Sequence, residues 1–436
     1  MESVLTKTEF NTGIRCNKPF RSSIQQSDNE LLIFGTDNFS QFPKRDGSIL
    51  SRCNRALAVA CEDDLVILRT GLDREYQNWL RANGLGTDHI VEYGIPSHGI
   101  TLSEMIVKNP DPILEIIEKT RKAPVYVPWF SGQTEKAAAN ILGADLFGSP
   151  ESLTLIYNDK ASFKHICWQL GLSTIEGGLF EVRPEKSENY FQFEEMVHRH
   201  LSKTHRVIVR GALGEAGMSL YKTLGNDIPE LYRQIAETGE RILIIEPFLD
   251  VISSPNDQWI IDRTGNINHM GIREQVCERG MVYIGTVKGN PYSRTVCDSI
   301  SKASIKIVNH MARSGYTGVV GIDYIVTENG IYPVENNARF NGSTYVGMII
   351  ENIENKILSS IPYWKFLKLK SRPSSFFEFA QKLGPLLYDN GRCDCVFPYD
   401  CKTLPISGDL AVIILATDIE QMRYLEKELK EMGIKR

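Results

Sequence analysis

No apolar run in this chain approaches the roughly 18 residues of a membrane-spanning helix. The opening MESVLTKTEFNTGIRCNKPF also lacks the apolar core of a signal peptide, so the expectation is a cytoplasmic protein with no membrane partner. A dominant charge of one sign is missing too. The 49 Lys+Arg against 54 Asp+Glu leave a net charge of −5, which gives no electrostatic basis for binding nucleic acid. Cysteine is sparse and scattered: Cys16, Cys53, Cys61, Cys167, Cys277, Cys297, Cys393, Cys395 and Cys401 are odd in number and suggest no disulfide framework. Cys393, Cys395 and Cys401 lack a fourth ligand nearby, and no histidine follows His310, so a zinc site is not expected. His198, His200 and His205 fit no zinc helix and read as a solvated basic surface. Internal repeats and low-complexity segments are absent.

What remains is an ordinary composition, 42% hydrophobic and 24% charged, over 436 residues, enough for about two to four domains. Residues 1–27 are polar and unpatterned, a mobile N-terminal arm. Residues 28–150 alternate strands (LLIFGTDN, DLVILRT, VYVPWFSG) with helical stretches, the pattern of an α/β domain with a largely parallel sheet. Residues 151–360 read as an antiparallel-rich α+β unit in two layers. A helix over NDKASFKHICWQLGL is capped by Asp159 or Asn158 and stopped by Gly171. After PYWKFLKLKSRPSS, residues 361–436 read as a small C-terminal α/β piece with the strand LAVIILAT and the helix IEQMRYLEKELKEMG.

The most informative segment is GIDYIVTENGIYPVENNARFNGSTY, residues 321–345. Two β-rich runs flank Asn329-Gly330, a hairpin signal. A three-residue loop, Glu328 to Gly330 with Gly330 left-handed, pairs Thr327 with Ile331 and sets Asp323 across from Glu335, with Asn337 on the same face; an equivalent bulge would do the same. A two-residue Asn-Gly turn instead pairs Asp323 with Asn336. Two carboxylates and an amide on one face suit a small hard cation shared with substrate phosphates, and Arg339 follows. The competing reading is a polar solvent face on an amphipathic hairpin.

Other segments are individually less specific. RGALGEAGMSLYK, residues 210–222, puts glycines after a strand, where backbone N–H groups approach phosphate; a purely structural turn is the alternative. IIEPFLD carries Glu246 at the end of an apolar strand and suits either an adenine edge or a core strand with a solvated end. Lys160 stands at a helix start, unfavourable unless a polyanion lies nearby. Arg273, in MGIREQV, suits either a substrate carboxylate or the surface.

Taken in order, NDK, VIVRG with its glycine-rich loop, IIEPFL, GIDYIV and VENNARFNG resemble the ATP-grasp superfamily over residues 150–345. FGTDN and YVPWFSGQTEKAAANILG resemble the pre-ATP-grasp domain of that superfamily's amino-acid ligases, and the small C-terminal piece suits the same subgroup. The resemblance implies a pre-ATP-grasp α/β domain, a two-layer ATP-grasp fold, ATP as cofactor, and Mg²⁺ or Mn²⁺ bound by Asp323, Glu335 and Asn337. It implies that Lys160 and Arg210 contact phosphates, Arg210 standing where the family usually has lysine. Gly214, Glu215, Ala216, Gly217, Met218 and Ser219 would form the loop over them, and Glu246, Phe248 and Leu249 would meet the adenine. Asp250 and Asp257 both remain candidates for the ribose. Arg339 and Arg273 would stabilise transition-state charge.

The implied activity is an ATP-dependent ligase that converts an amino-acid carboxylate to an acyl phosphate, releasing ADP. The acyl group then passes to an amine or to the phosphopantetheine thiol of an acyl carrier protein. The setting implied is natural-product (antibiotic) biosynthesis, with glutamate a candidate substrate. Two alternatives stand beside it: a biotin-carboxylase-like enzyme activating bicarbonate, whose biotin-handling regions are not recognisable here, and a non-catalytic ATP-binding regulatory module, which the metal carboxylates and Arg339 disfavour.

Overall fold

The computed structural model describes residues 14–16, 19–37, 50–94, 100–212, 219–278, 282–288 and 292–436. The calls on Gly214, Glu215, Ala216, Gly217 and Met218 lie outside the described residues, as does most of the N-terminal arm. Where the arm is described it is docked. The helix Phe20–Ile24 buries Phe20, Ser23 and Ile24, the Arg21 backbone N–H donates to Glu351 at 3.1 Å, and the Arg21 guanidinium meets Asp64 at 2.7 Å.

A parallel five-stranded sheet runs in the order Ile90–Glu92, Leu65–Leu68, Glu30–Gly35, Ala123–Pro128, Asp145–Leu146. ELLIFG and LVIL are buried along their whole length, as expected where crossover helices cover both faces of a parallel sheet. Parallel strands with helices between them are the α/β pattern expected for this part of the chain.

A four-stranded antiparallel sheet, Gly178–Glu181, Ile242–Pro247, Val207–Gly211, Leu220–Thr223, forms a separate lobe. With the helices Ser187–Leu201 and Ile228–Thr238 it encloses its own core, including Phe193, Val209, Ile235 and Leu243. The helix Lys160–Gln169 leads toward it. Asp159 caps that helix, accepting from the Ser162 N–H at 2.6 Å, and Gly171 beyond its end takes φ +64°.

Among the described residues the largest sheet has nine strands. Its main path is Gly330–Asn337, Gly318–Thr327, Pro255–Ile261, Ile267–Glu278, Val282–Lys288, Tyr363–Lys370, Asp409–Ala416 and Cys395–Tyr399, with Ile14–Cys16 added alongside Ile267–Glu278. The sheet therefore crosses the boundary expected at 361: Tyr363–Lys370 pairs directly with Val282–Lys288. One hydrophobic core joins the N-terminal domain, the helix Gly342–Ile357 and the C-terminal strands. The C-terminal piece adds strands to the central sheet, and its β-rich runs alone could not tell that from an independent unit.

Candidate functional site

The hairpin Gly318–Thr327 and Gly330–Asn337 carries the acidic face. Asp323 lies across from Glu335, and Gly321 across from Asn337. The loop differs from the three-residue form expected. Thr327 pairs with Gly330, so only Glu328 and Asn329 connect the strands, and Gly330 is not among the positive-φ residues. The extra residue is Val334, between Pro333, paired with Tyr324, and Glu335, paired with Asp323. Proline has no N–H to give the ladder, so an irregularity is cheapest beside it. The bulged Val334 offers its carbonyl to Arg210, which donates to it at 3.0 Å.

Asp323 is held by amides from three strands. Asn256 donates to Oδ1 at 2.6 Å, Gln275 to Oδ1 at 2.8 Å and Asn337 to Oδ2 at 3.0 Å. Burial first, and then the charge of Glu335, push its carboxyl up to about 7 despite the donors. Glu335 is met on its other side by the buried Lys160, 3.3 Å away. The backbone N–H of Lys160 donates to the Ala212 carbonyl at the end of the glycine-loop strand. Two opposed carboxylates and an amide, with room left for phosphate oxygens, fit a hard divalent cation. Among the described residues no group of three or more His, Cys, Asp or Glu side chains is placed to hold a metal ion; the site offers two carboxylates and an amide and leaves the rest of such an ion's shell to water and substrate oxygens.

These side chains open into a cavity of about 900 Å³, also lined by Arg339, Trp129, Asn341, Arg55, Lys368 and Tyr399. Arg339 is buried, with its guanidinium 5.1 Å from the centre of the Trp129 ring. Trp129 belongs to the YVPWFSG segment of the N-terminal domain, so that domain orients the arginine of the hairpin.

Arg273 takes a different place. It is buried between Phe20 and Trp364, with ring centres 5.4 and 5.7 Å from its guanidinium. It donates to the Met270 carbonyl at 3.0 Å and to Gln258 Oε1 at 3.3 Å, and burial pushes its pKa down to about 10. It does not line the cavity. It reaches the site indirectly, through Gln258, which donates to the cavity-lining Asn341 at 2.7 Å and to Ser343.

Glu246 is 2% exposed, and both its oxygens are engaged: Lys164 donates to one at 2.6 Å and Arg210 to the other at 2.6 Å. The sequence reading gave Arg210 to the phosphates and Glu246 to the adenine and did not foresee their contact. Phe248 and Leu249 are half-buried, and cations flank the Phe248 ring, Lys222 at 4.4 Å and Arg206 at 5.0 Å. Ser219 donates to Glu240 at 2.6 Å. The two ribose candidates lie in different surroundings. Asp257 faces away from Asn256, fully buried against Trp259 and His269 at 2.8 and 2.7 Å, whereas Asp250 is 91% exposed beside Arg206.

Sequence reasoning missed Lys164, Asn256, Gln275, Trp129 and Arg55. Lys164 had a signal, standing four residues after Lys160 on the same helix face. Asn256 and Gln275 had none, because their role depends on which strands flank Asp323.

No protein-family model matches the sequence. Solved structures do match the fold. A biotin carboxylase from Campylobacter jejuni, complexed with β,γ-ATP, aligns at TM-score 0.60 and 14% identity over 93% of this chain and 95% of the other. The biotin carboxylase domain of the Hydrogenobacter thermophilus 2-oxoglutarate carboxylase, with MgADP, ADP and bicarbonate, aligns at 0.59 and 13%, over 92% and 89%. An N5-carboxyaminoimidazole ribonucleotide synthetase from Thermus thermophilus aligns at 0.56 and 12%, over 92% and 98%. These are ATP-grasp enzymes, and the mixed α/β architecture expected from the sequence is the one they share. At such identities the likeness carries the fold.

Proposed function

We propose that this chain is an ATP-dependent ligase using Mg²⁺, with Mn²⁺ as a substitute, which activates a small carboxylate as an acyl phosphate and passes the acyl group to an amine or thiol. The observation that carries the reading is the pairing of Asp323 with Glu335 on one hairpin face, at the mouth of a cavity that also receives Arg339. The ATP-grasp fold of the matched structures supports it.

Asp323, Glu335 and Asn337 would hold Mg²⁺, which when bound offsets charge on the nucleotide phosphates. Lys160, already beside Glu335, adds a buried cation at the phosphate end. A carboxylate is a poor electrophile; phosphorylation gives its acyl carbon a leaving group that an incoming nucleophile expels. Arg339, held over Trp129, faces the cavity where the charge of the tetrahedral intermediate develops. One such donor is typically worth about 10²–10³ in rate. Arg210 and Glu246 act in this reading through the frame they build with Lys164, and Asp250 is the ribose candidate that reaches solvent. The finer assignments, an amino acid such as glutamate as donor, an acyl carrier protein as acceptor, antibiotic biosynthesis as setting, belong to the same proposal and rest on the subgroup resemblance.

A second reading, bicarbonate as the activated acid, is favoured by the carboxylases among the matched structures. One experiment addresses both. The protein is incubated with Mg-ATP and single amino acids or bicarbonate, with and without amines or a pantetheinylated carrier protein, while ADP and product mass are followed. ADP with a hydroxylamine-trapped hydroxamate is the expected result, and ADP release driven by bicarbonate alone selects the second reading. AMP and pyrophosphate as products would remove the mechanism.

A further inference from the structure

The cavity has a second wall that the metal and nucleotide do not explain. Arg55 reaches it from the N-terminal domain, Lys368 from the strand Tyr363–Lys370, and Tyr399 and Asp400 from the end of the strand Cys395–Tyr399. Two of its groups are fixed in ways that catalysis at the hairpin does not require. The Tyr399 side chain is buried, and its hydroxyl has no hydrogen-bond partner among the described residues. A buried hydroxyl left unmatched costs free energy unless a ligand meets it. Asp400 takes φ +52°, a left-handed conformation uncommon outside glycine. It approaches the buried Arg55 at 3.6 Å, while the guanidinium of Arg55 also lies 5.5 Å from the centre of the Tyr345 ring. The Lys368 ammonium lies 4.8 Å from the centre of the Tyr283 ring. Nearer the rim, Lys370 pairs with Asp409 and Arg436 with Glu278. Deeper in the same wall, Arg55, Lys368, Tyr399 and Asp400 line one part of the cavity together.

We propose that Arg55, Lys368 and the Tyr399 hydroxyl form an anion subsite, so that the substrate is a small molecule with two anionic ends. One end, a carboxylate, is activated at the hairpin, and the other is received at this wall. The assignment rests on the ligase reading above. A carboxylate or a phosphate could supply the second anion, with the Asp400 carboxylate beside Arg55 available to an ammonium group on the same ligand.

The test is isothermal titration of the intact protein, with Mg-ADP present, against glutarate, L-glutamate, 3-phosphoglycerate and, as the one-ended control, propionate. Glutarate or L-glutamate binding at least about tenfold tighter than propionate identifies a carboxylate subsite, and 3-phosphoglycerate alone doing so identifies a phosphate subsite; a hydrogen bond to a charged group carries about that factor. Tyr399→Phe should weaken the two-ended ligand about tenfold while leaving the melting temperature unchanged or raised, because the hydroxyl it removes has no partner to lose. Lys368→Met should weaken it similarly. Equal binding of all four acids, or a Tyr399→Phe protein with unaltered affinity, overturns the subsite. Binding of Mg-ADP is measured separately, and the acids are also titrated without it. Loss of nucleotide binding therefore counts against the ligase reading, and the comparison of acids counts for or against the subsite in either case.

Discussion

Asp323 and Glu335 face each other across adjacent strands, a pairing in which like charges destabilise a sheet unless something lies between them. Three amide donors and Lys160 offset part of that repulsion, and a divalent cation would reverse it. Millimolar Mg²⁺ should therefore raise the melting temperature, more so with ADP present. Glu335→Gln should abolish the Mg²⁺ response and reduce turnover by at least about 10², yet leave the metal-free protein no less stable than the parent to within about 1 kcal/mol. Differential scanning fluorimetry with and without EDTA reads this directly. A Glu335→Gln protein that keeps both the Mg²⁺ response and the turnover would remove the metal assignment.

The same pair sets a pH dependence. Burial and Glu335 raise Asp323 from the ordinary carboxylate range to about 7. Between about pH 4 and 7 the folded, metal-free chain then holds a proton that the unfolded chain has released, so this group's contribution to stability is present at low pH and is lost as pH rises through that window. Mg²⁺ competes with the proton, so the stabilisation it brings should grow over the same interval. Urea midpoints at intervals from pH 4 to 8, with EDTA and with Mg²⁺, should diverge as pH rises. Parallel curves would mean that Asp323 titrates normally.

The reach of the sequence is clearest at this hairpin. Alternation at period two and a turn signal narrowed the partner of Asp323 to Glu335 or Asn336, because both are local properties of twenty-odd residues. The position of the extra residue was not legible. Asn329-Gly330 drew the irregularity into the loop, while the missing N–H of Pro333 admits it at Val334, where the bulged carbonyl meets Arg210 from a different lobe. Likewise the strand character of 363–370 was readable and its partner Val282–Lys288 was not. The donors Asn256 and Gln275 became visible only once the strand order did.

Glu246 supports a prediction about stability. Its carboxylate is shared by Lys164 and Arg210, all three buried. Glu246→Ala strands two buried cations and should cost about 3–5 kcal/mol in urea unfolding, since removing one member of a buried network leaves the others uncompensated. Glu230→Ala, which breaks the exposed pair with Arg233, should leave the unfolding midpoint where it was. Comparable losses in the two variants would show that the Glu246 network is solvated.

Arg273 separates a residue that touches the site from one that braces it. Its guanidinium, pressed between Phe20 and Trp364, bonds to Met270 and Gln258, and only Gln258 continues to the cavity-lining Asn341. Arg273→Met keeps the length and apolar contact while removing the donors. It also relieves the burial of a charge whose pKa is already pushed down to about 10. The expected loss is about 1–3 kcal/mol of stability from the unmatched acceptors, with the Mg²⁺-dependent rise in melting temperature retained. Arg339→Met should differ in turnover, because Arg339 lines the cavity over Trp129: a large loss of turnover in protein that remains folded. If Arg273→Met lost turnover as Arg339→Met does, at unchanged stability, Arg273 would return to the reacting groups.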